Sequence, residues 1–324
     1  MNELVVPAGG AVAHRPIEYV SLHSHTTFSF GDGYGPVTQH ASRIEELGMK
    51  ALAVTEHGNV SSWVELEKAC RGTQVKPIFG IEIYFAPPKT MQKTHMILLA
   101  MNSIGLQNIN RIVTQSWRNF YRWPTVHLED LEANNEGIIA LSGCSDSALS
   151  CTLYGGKYFG PKTLELDKRR VQLATRLVER FSEIFDQGRY FLECQRFPLL
   201  ERTCLINQAN EKLSARTGVP LVATSDVHYC KATDQPMQKI LHAAHRGSSV
   251  DVIESQWEWD VKLTYPTSDL EIFNHLIQTG MSEDAARQSI TNTGLIADRC
   301  NVELPKAPLP RYLIDPEKDW KPWT

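Results

Sequence analysis

From residue 18 onward, short apolar runs alternate with stretches whose apolar positions recur every three or four residues. Tyr19–Leu22, Ala51–Thr55, Ile78–Phe85, His95–Ala100, Gly137–Leu141, Tyr190–Cys194 and Pro220–Thr224 are short and largely apolar, the pattern of buried strands. Between them the helical period predicts helices over 36–47, 61–70, 105–119, 164–185 and 199–217. The 164–185 stretch carries apolar residues at 164, 166, 171, 173, 174, 177, 178, 181 and 184. Pro36 opens the first helix and Gly48 stops it. Ser61 or Ser62 is placed to cap the second, with Glu65 and Glu67 where its dipole favours acid. Strands alternating with helices imply βα units, an α/β fold and a parallel sheet. Seven strands in about 210 residues fit a barrel better than an open sheet. The pattern divides the chain into a Gly-, Ala- and Pro-rich lead-in over 1–17, a barrel over 18–230, a mostly helical appendage over 231–300 with a Trp-rich break at 256–259, and a proline-rich connecting tail over 301–324.

Composition narrows the function. A chain of 324 residues buries roughly three quarters of its unfolded surface and needs no disulfide or metal merely to fold. With 33 Lys+Arg against 37 Asp+Glu, a charge-only polycationic nucleic-acid binder is excluded, though a local basic groove is not. No apolar run approaches the ~20 residues of a bilayer span. The first residues lack a basic stretch followed by an apolar core, and the seven cysteines are scattered with no CxxC pair. A reducing, cytoplasmic setting with no membrane partner is therefore expected.

The candidate chemistry falls at strand ends. His23 and His25, in Leu22-His23-Ser24-His25, are two apart in an extended segment and aim two imidazoles the same way. His57 follows the second strand, Glu82 lies within the third and His95 begins the fourth. Cys144 follows the fifth, Asp226 and His228 follow the last, and Asp32 sits between two glycines near the first pair. In a βα barrel the C-terminal strand ends open on one face. Taken singly each residue has a plainer reading: a solvated His pair, a buried thiol, a turn aspartate, a helix cap. Their recurrence at strand after strand favours a metal centre. Such a set exceeds the roughly four ligands of one tetrahedral ion, so two or three divalent ions with a bridging carboxylate are implied. Imidazole and carboxylate suit zinc, manganese or iron, and the thiolate tilts the choice towards zinc. His40, His242 and His245 fall within predicted helices and are expected to be packing or surface residues, and Lys168-Arg169-Arg170 a solvated helix face.

The ordered set Leu22-His23-Ser24-His25, Asp32-Gly33, Thr55-Glu56-His57-Gly58, Gly80-Ile81-Glu82, His95, Ser142-Gly143-Cys144 and Ser225-Asp226-Val227-His228-Tyr229 resembles the PHP (polymerase and histidinol phosphatase) domain family. More narrowly, it resembles the PHP domain at the N-terminus of bacterial DNA polymerase III alpha subunits. The resemblance runs from about residue 18 to about 310 and includes Ile296–Pro305, similar to the passage into a polymerase core. Glu56 departs from the usual Asp, at a position not expected to bind metal. The resemblance implies a distorted seven-stranded, TIM-like βα barrel with a trinuclear site. His23, His25, Glu82 and Asp226 would hold one ion, Glu82, His95 and Cys144 a second, and Asp32, His57 and His228 a third. It further implies a metal-dependent phosphoesterase removing nucleotides from DNA 3′ ends, with Glu82, Asp226 and His228 central to catalysis and a polymerase core or other replication protein as partner. At 324 residues the chain is expected to be too short to include a polymerase core, so unaided polymerisation is not anticipated.

Two further classes stay open: a histidinol-phosphate-type phosphatase of small molecules, and a non-catalytic module stabilised by metal that docks on a polymerase. The roughly 95 residues after His228 favour the polymerase-type reading, since a free-standing phosphatase has no evident need for them. Residues 83–128 contain Lys89, Lys93, Arg111, Arg118 and Arg122 and no Asp or Glu. There Arg111, Arg118 and Arg122 interleave with Trp117, Phe120, Tyr121 and Trp123, the mixture that single-stranded DNA binding uses. These arginines are candidate contacts; in the plainer reading the aromatics pack inward and the arginines face water.

Overall fold

The computed structural model describes residues 18–88, 93–156, 159–186, 188–256, 258–306 and 309. The expected lead-in 1–17 and most of the tail beyond 306 lie outside the described residues.

The protein is mixed α/β, built on one curled sheet. Its strands are β1 (Ala51–Val54), β2 (Lys76–Phe85), β3 (Thr94–Ala100), β4 (Thr125–Val126), β5 (Ile138–Leu141), β6 (Tyr190–Gln195) and β7 (Leu221–Thr224). The order is β1-β2-β3-β5-β6-β7, with β4 paired to the end of β2. Segment 19–25 lies between the two outer strands. On one side the Ala53 amide donates to Ser21 O at 2.9 Å and the Thr55 amide to Ser24 O at 2.8 Å. On the other, the Val227 amide donates to His23 O at 3.1 Å and the His25 amide to Val227 O at 2.7 Å. The first expected strand is thus a set of backbone bridges interrupted by a bend at His23.

The expected all-parallel sheet is corrected at β3, which runs antiparallel to both β2 and β5. Residues 86–93 join β2 to β3, too few for the dozen or more that a parallel crossover needs. The reversal brings the start of β3 to the end of the sheet where the other strands finish.

Helices α1 (Val37–Glu46), α2 (Trp63–Cys70), α3 (Ser103–Arg118), α4 (Leu128–Ala133), α5 (Ala148–Tyr154), α6 (Lys168–Ile184) and α7 (Glu201–Thr217) connect the strands. Gly48 takes a positive φ of 70° just after α1, where a left-handed residue ends a helix cheaply. Ser62 occupies the N-cap position of α2, but its side chain makes no capping bond. The helix expected from residue 164 begins at Lys168, because Asp167 accepts from the Arg170 amide and caps it there. The short α4 and α5 were too brief to show a period. Helices α8 (Gln235–Arg246), α9 (Val250–Gln256), α10 (Asp269–Gln278) and α11 (Glu283–Arg299) follow the sheet.

Alternate strand residues separate into two cores, as the two-residue strand period requires. Leu52, Val54, Phe79, Ile81, Leu98, Ala100, Ile138 and Leu192 belong to the larger cluster shared with the helices. Ala51, Ala53, Ile78, Ile97, Leu99, Ile139, Leu141, Phe191 and Val222 form a smaller cluster on the concave side, with Val20, Leu22 and Ile296 and Ala297 of α11. Followed towards the strand ends, the concave columns turn polar. Ile78 is succeeded two and four positions on by Gly80 and Glu82, and Phe191 by Glu193 and Gln195. Val222 leads likewise to Thr224, and Leu99 and Ile97 lead back to His95.

Candidate metal centre

At that polar mouth the side chains converge. Glu82, only 1 % exposed, is the hub. His57 Nδ1 lies 2.5 Å from Glu82 Oε2, His95 Nδ1 3.2 Å from Oε1 and His23 Nε2 3.3 Å from Oε1. His23 Nε2 also lies 3.1 Å from Asp226 Oδ1, and His25 Nε2 3.5 Å from the same oxygen. Asp32 Oδ2 meets His57 Nε2 at 2.9 Å and His228 Nε2 at 3.4 Å. Cys144 Sγ is 3.5 Å from His95 Nδ1. All nine residues singled out from the sequence therefore meet at one mouth. Three sets have donor atoms mutually within 4.8 Å: His25, His57 and His228; His23, His25 and Asp226; and His57, Glu82 and His95.

The backbone is bent to achieve this. Asp226 has φ 42°, a left-handed conformation uncommon outside glycine and tolerated by Asp. Gly143, at φ 90°, leaves no room for a side chain: a Cβ there would lie 2.4 Å from His95 O. The turn that carries Cys144 is thus seated directly on the start of β3.

Outer partners orient the imidazoles. His23 Nδ1 donates to Glu193 Oε1 at 2.8 Å, which also accepts from Thr224 Oγ1 at 2.7 Å. His25 Nδ1 meets Ser29 Oγ at 2.9 Å, and His228 Nδ1 donates to Asp226 O at 2.8 Å. In each ring the Nε2 lone pair is left facing the cluster, the arrangement that metal-binding histidines adopt. Glu56 instead accepts from the Thr26 amide and hydroxyl and from Ser29, holding the loop that carries Asp32.

The electrostatics are those of anions short of cations. Burial alone would raise the Glu82 carboxyl, but facing His95 and His57 hold it well below its ordinary range. Burial and His23 and His228 act in the same opposed way on Asp226, which is also lowered. Burial opposes charge on His57, yet Glu82 and Asp32 outweigh it and push its pKa up to about 10. Asp32 and Asp226 likewise raise His228 to about 9 against its burial. His25, buried and facing His57, falls to about 3. Burial pushes the Cys144 thiol well up.

Both Glu82 oxygens and His57 Nδ1 are buried without a hydrogen-bond partner among the described residues, despite nitrogens as close as 2.5 Å. Lone pairs that crowd one point without hydrogen-bond geometry suit a cation between them. The donor set fits metal ions.

Two side chains at the site, His242 and Glu193, were not anticipated. His242, expected to pack or face solvent, is buried with Nε2 2.7 Å from Asp32 Oδ1. Its helix α8 folds back over the mouth, which no local pattern announces. His245 is exposed, as expected, with its ring edge against Phe30. Glu193 was legible as a lone carboxylate in an apolar strand. His40 does pack: its Nε2 donates to Tyr34 O at 3.0 Å and its Nδ1 accepts from the Tyr265 hydroxyl at 2.7 Å.

The mouth opens into a cavity of about 680 Å³ whose lining includes Glu82, His95, Asp226, Tyr84, Lys93 and Trp123. Arg111, Arg118 and Arg122 are exposed and do not line it. Arg111 and Arg118 instead border a shallow groove between α3 and α4. Trp117, Phe120, Tyr121 and Trp123 are exposed rather than packed inward. Lys168 and Arg169 are exposed, whereas Arg170 turns in to the carbonyls of Leu153 and Pro161.

Fold and site together define an α/β protein with a histidine- and carboxylate-lined centre at one end of a curled sheet. The chain belongs to the PHP domain family, whose model matches residues 21–197. It is 27% identical over 297 residues to the DNA polymerase III subunit alpha of Helicobacter pylori, covering 88% of this chain and 23% of that protein. It is 29% identical over 315 residues to that of Treponema pallidum, covering 93% and 25%. The chain thus spans about a quarter of the length of these relatives. Among solved structures it is similar to a two-domain protein from Bacteroides vulgatus containing a predicted PHP-like metal-dependent phosphoesterase. That likeness has a TM-score of 0.41 and 16% identity, over 74% of this chain and 61% of the other.

Proposed function

We propose that the protein is a metal-dependent phosphodiester hydrolase that removes nucleotides from single-stranded DNA 3′ ends. The observation that carries this is Glu82, buried at the focus of His23, His57 and His95 with both oxygens unpartnered. In this reading His23, His25, Glu82 and Asp226 hold one divalent ion, Glu82, His95 and Cys144 a second, and Asp32, His57 and His228 a third. Zinc is favoured over manganese or iron by the thiolate. Ions held there would polarise the phosphoryl oxygens and supply an activated water. Glu82 spaces two of the positions, Asp226 reaches between His23 and His25, and His228 and Asp32 form the outer rim that moves or holds a proton.

The relatives' name supports a place in DNA replication, beside a polymerase core and in the cytoplasm. We further read residues 18–230 as a distorted barrel closed through segment 19–25, 231–300 as its helical appendage and 301–324 as a connecting tail. Among the described residues no helix is long and apolar enough to cross a membrane.

The test is digestion of 3′-labelled single-stranded DNA with added Zn²⁺ or Mn²⁺, beside Asp226→Asn and a chelated control. Shortening from the 3′ end that fails in both controls is expected. Equal activity in Asp226→Asn would overturn the assignment.

A further inference from the structure

Lys93 is one of the cations lining the cavity, beside Arg202 and Arg246, that the metal reading leaves unused. Lys93 Nζ sits 4.1 Å from the Tyr84 ring centroid and 4.3 Å from that of Trp123, held between two aromatic faces. No carboxylate lies within ion-pair distance of it among the described residues. Tyr84 is the partition between this cation and the metal centre: its ring stacks on His57 at 6.0 Å and tilts against His95 at 5.5 Å. Lys93 is therefore one ring away from two residues that face Glu82.

Trp123 offers the other half of a binding surface. It is 42 % exposed, lines the same cavity, and meets Tyr84 edge-on at 6.2 Å. The loop is held in place: Arg122 has a positive φ of 66° and the Tyr121 amide donates to Trp123 O at 3.2 Å. Beyond it lie further exposed rings, Tyr121 under the Arg122 guanidinium and Trp117 stacked on Phe120 at 5.4 Å. Trp117 Nε1 donates to Gly58 O at 3.0 Å, tying this row to the turn after His57.

We propose that Lys93 and Trp123 form the subsite for the terminal nucleotide of a single-stranded nucleic acid: Trp123 stacks its base, and Lys93 holds a non-bridging oxygen of the adjoining phosphate. The proposal deepens the hydrolase reading and rests on it for the orientation of the strand. An apolar face beside a cation with no carboxylate partner among the described residues matches a base joined to a phosphate, and a small phosphate monoester would leave the ring unused. Lys93 and Trp123 take the place, at the mouth, of the exposed arginines outside it.

The test is fluorescence anisotropy of a 5′-labelled oligothymidylate whose last linkage is a phosphorothioate, bound by the Mn²⁺-loaded protein. Trp123→Ala should weaken binding about 5- to 150-fold. It should lose little on an oligonucleotide with an abasic terminal residue. Lys93→Gln should flatten the slope of log affinity against log salt by about 0.7, the share of one phosphate contact on a single strand. Lys93→Arg should restore that slope. Trp123→Phe, which keeps a stacking face, guards against a variant that fails to fold. Affinity and slope unchanged in both Trp123→Ala and Lys93→Gln would overturn the proposal, as would an equal loss on intact and abasic ends. A wild-type protein that hydrolyses no phosphodiester yet shows the stacking and salt signatures would sink the hydrolase reading and leave the subsite standing.

Discussion

Glu193 shows how much a single side chain can decide outside any motif. It points into the concave column between Phe191 and Gln195 and receives His23 Nδ1, fixing which nitrogen of that ring faces Glu82 and Asp226. A neutral amide would keep the shape but lose the charge that makes the imidazole a stronger donor. Glu193→Gln is expected to weaken divalent-ion affinity by about 10- to 100-fold. Competitive titration against a chromophoric chelator measures it, and unchanged affinity would remove Glu193 from any orienting role. Glu56 is a contrast: just as buried, it is spent on Thr26 and Ser29 and serves the loop. Two buried carboxylates thus differ in role because of which donors surround them.

At the scale of elements, the reversal of β3 is the decisive event. Were it parallel to its neighbours β2 and β5, His95 would lie at the far end of the sheet from Glu82's partners. The seat of Gly143 on His95 O locks that arrangement, so Gly143→Ala forces a strained turn and a steric shift together. A loss of about 1–3 kcal/mol in urea unfolding is expected, accompanied by weaker ion binding. Asn102→Ala provides the comparison. Its side chain accepts from the Gly105 amide and caps α3 away from the mouth. Removing the cap should cost about 1 kcal/mol and leave ion affinity unchanged. Equal effects of the two variants on ion affinity would show that Gly143 acts only through global stability.

For the whole molecule, the balance of charge at the mouth predicts opposite responses to pH with and without ions. Without ions, His57 and His228 have pKa values raised from 6.5 to about 10 and about 9 by the surrounding carboxylates. A raised pKa stabilises the fold fully below the unfolded value and less as pH climbs through the folded one. Chelated protein should therefore lose thermal stability as pH rises from 6.5 to about 10. Ion binding requires these rings deprotonated, so the rise in Tm on adding Zn²⁺ or Mn²⁺ should grow over the same interval. At 100 times Kd the ion should add about 2.7 kcal/mol. Differential scanning calorimetry across this range, with and without chelator, checks both signs. A chelated protein that gains stability towards pH 9 would contradict the charge balance.

The sequence by itself determined the alternation of strand and helix, most strand positions, and the identity of the nine converging side chains. These follow from local period and from residue type at strand ends, which short-range sterics and burial control. Tertiary structure alone decided the direction of β3, which depends on the length of a connection and on the neighbour it finds. It decided that segment 19–25 would bridge two edges more than a hundred residues apart in sequence, and that α8 would carry His242 to Asp32. It also decided that Lys93 and Trp123, rather than the arginines of the same basic stretch, would reach the cavity. Each of these is a pairing between distant parts of the chain, and periodicity along the chain carries no information about which distant parts meet.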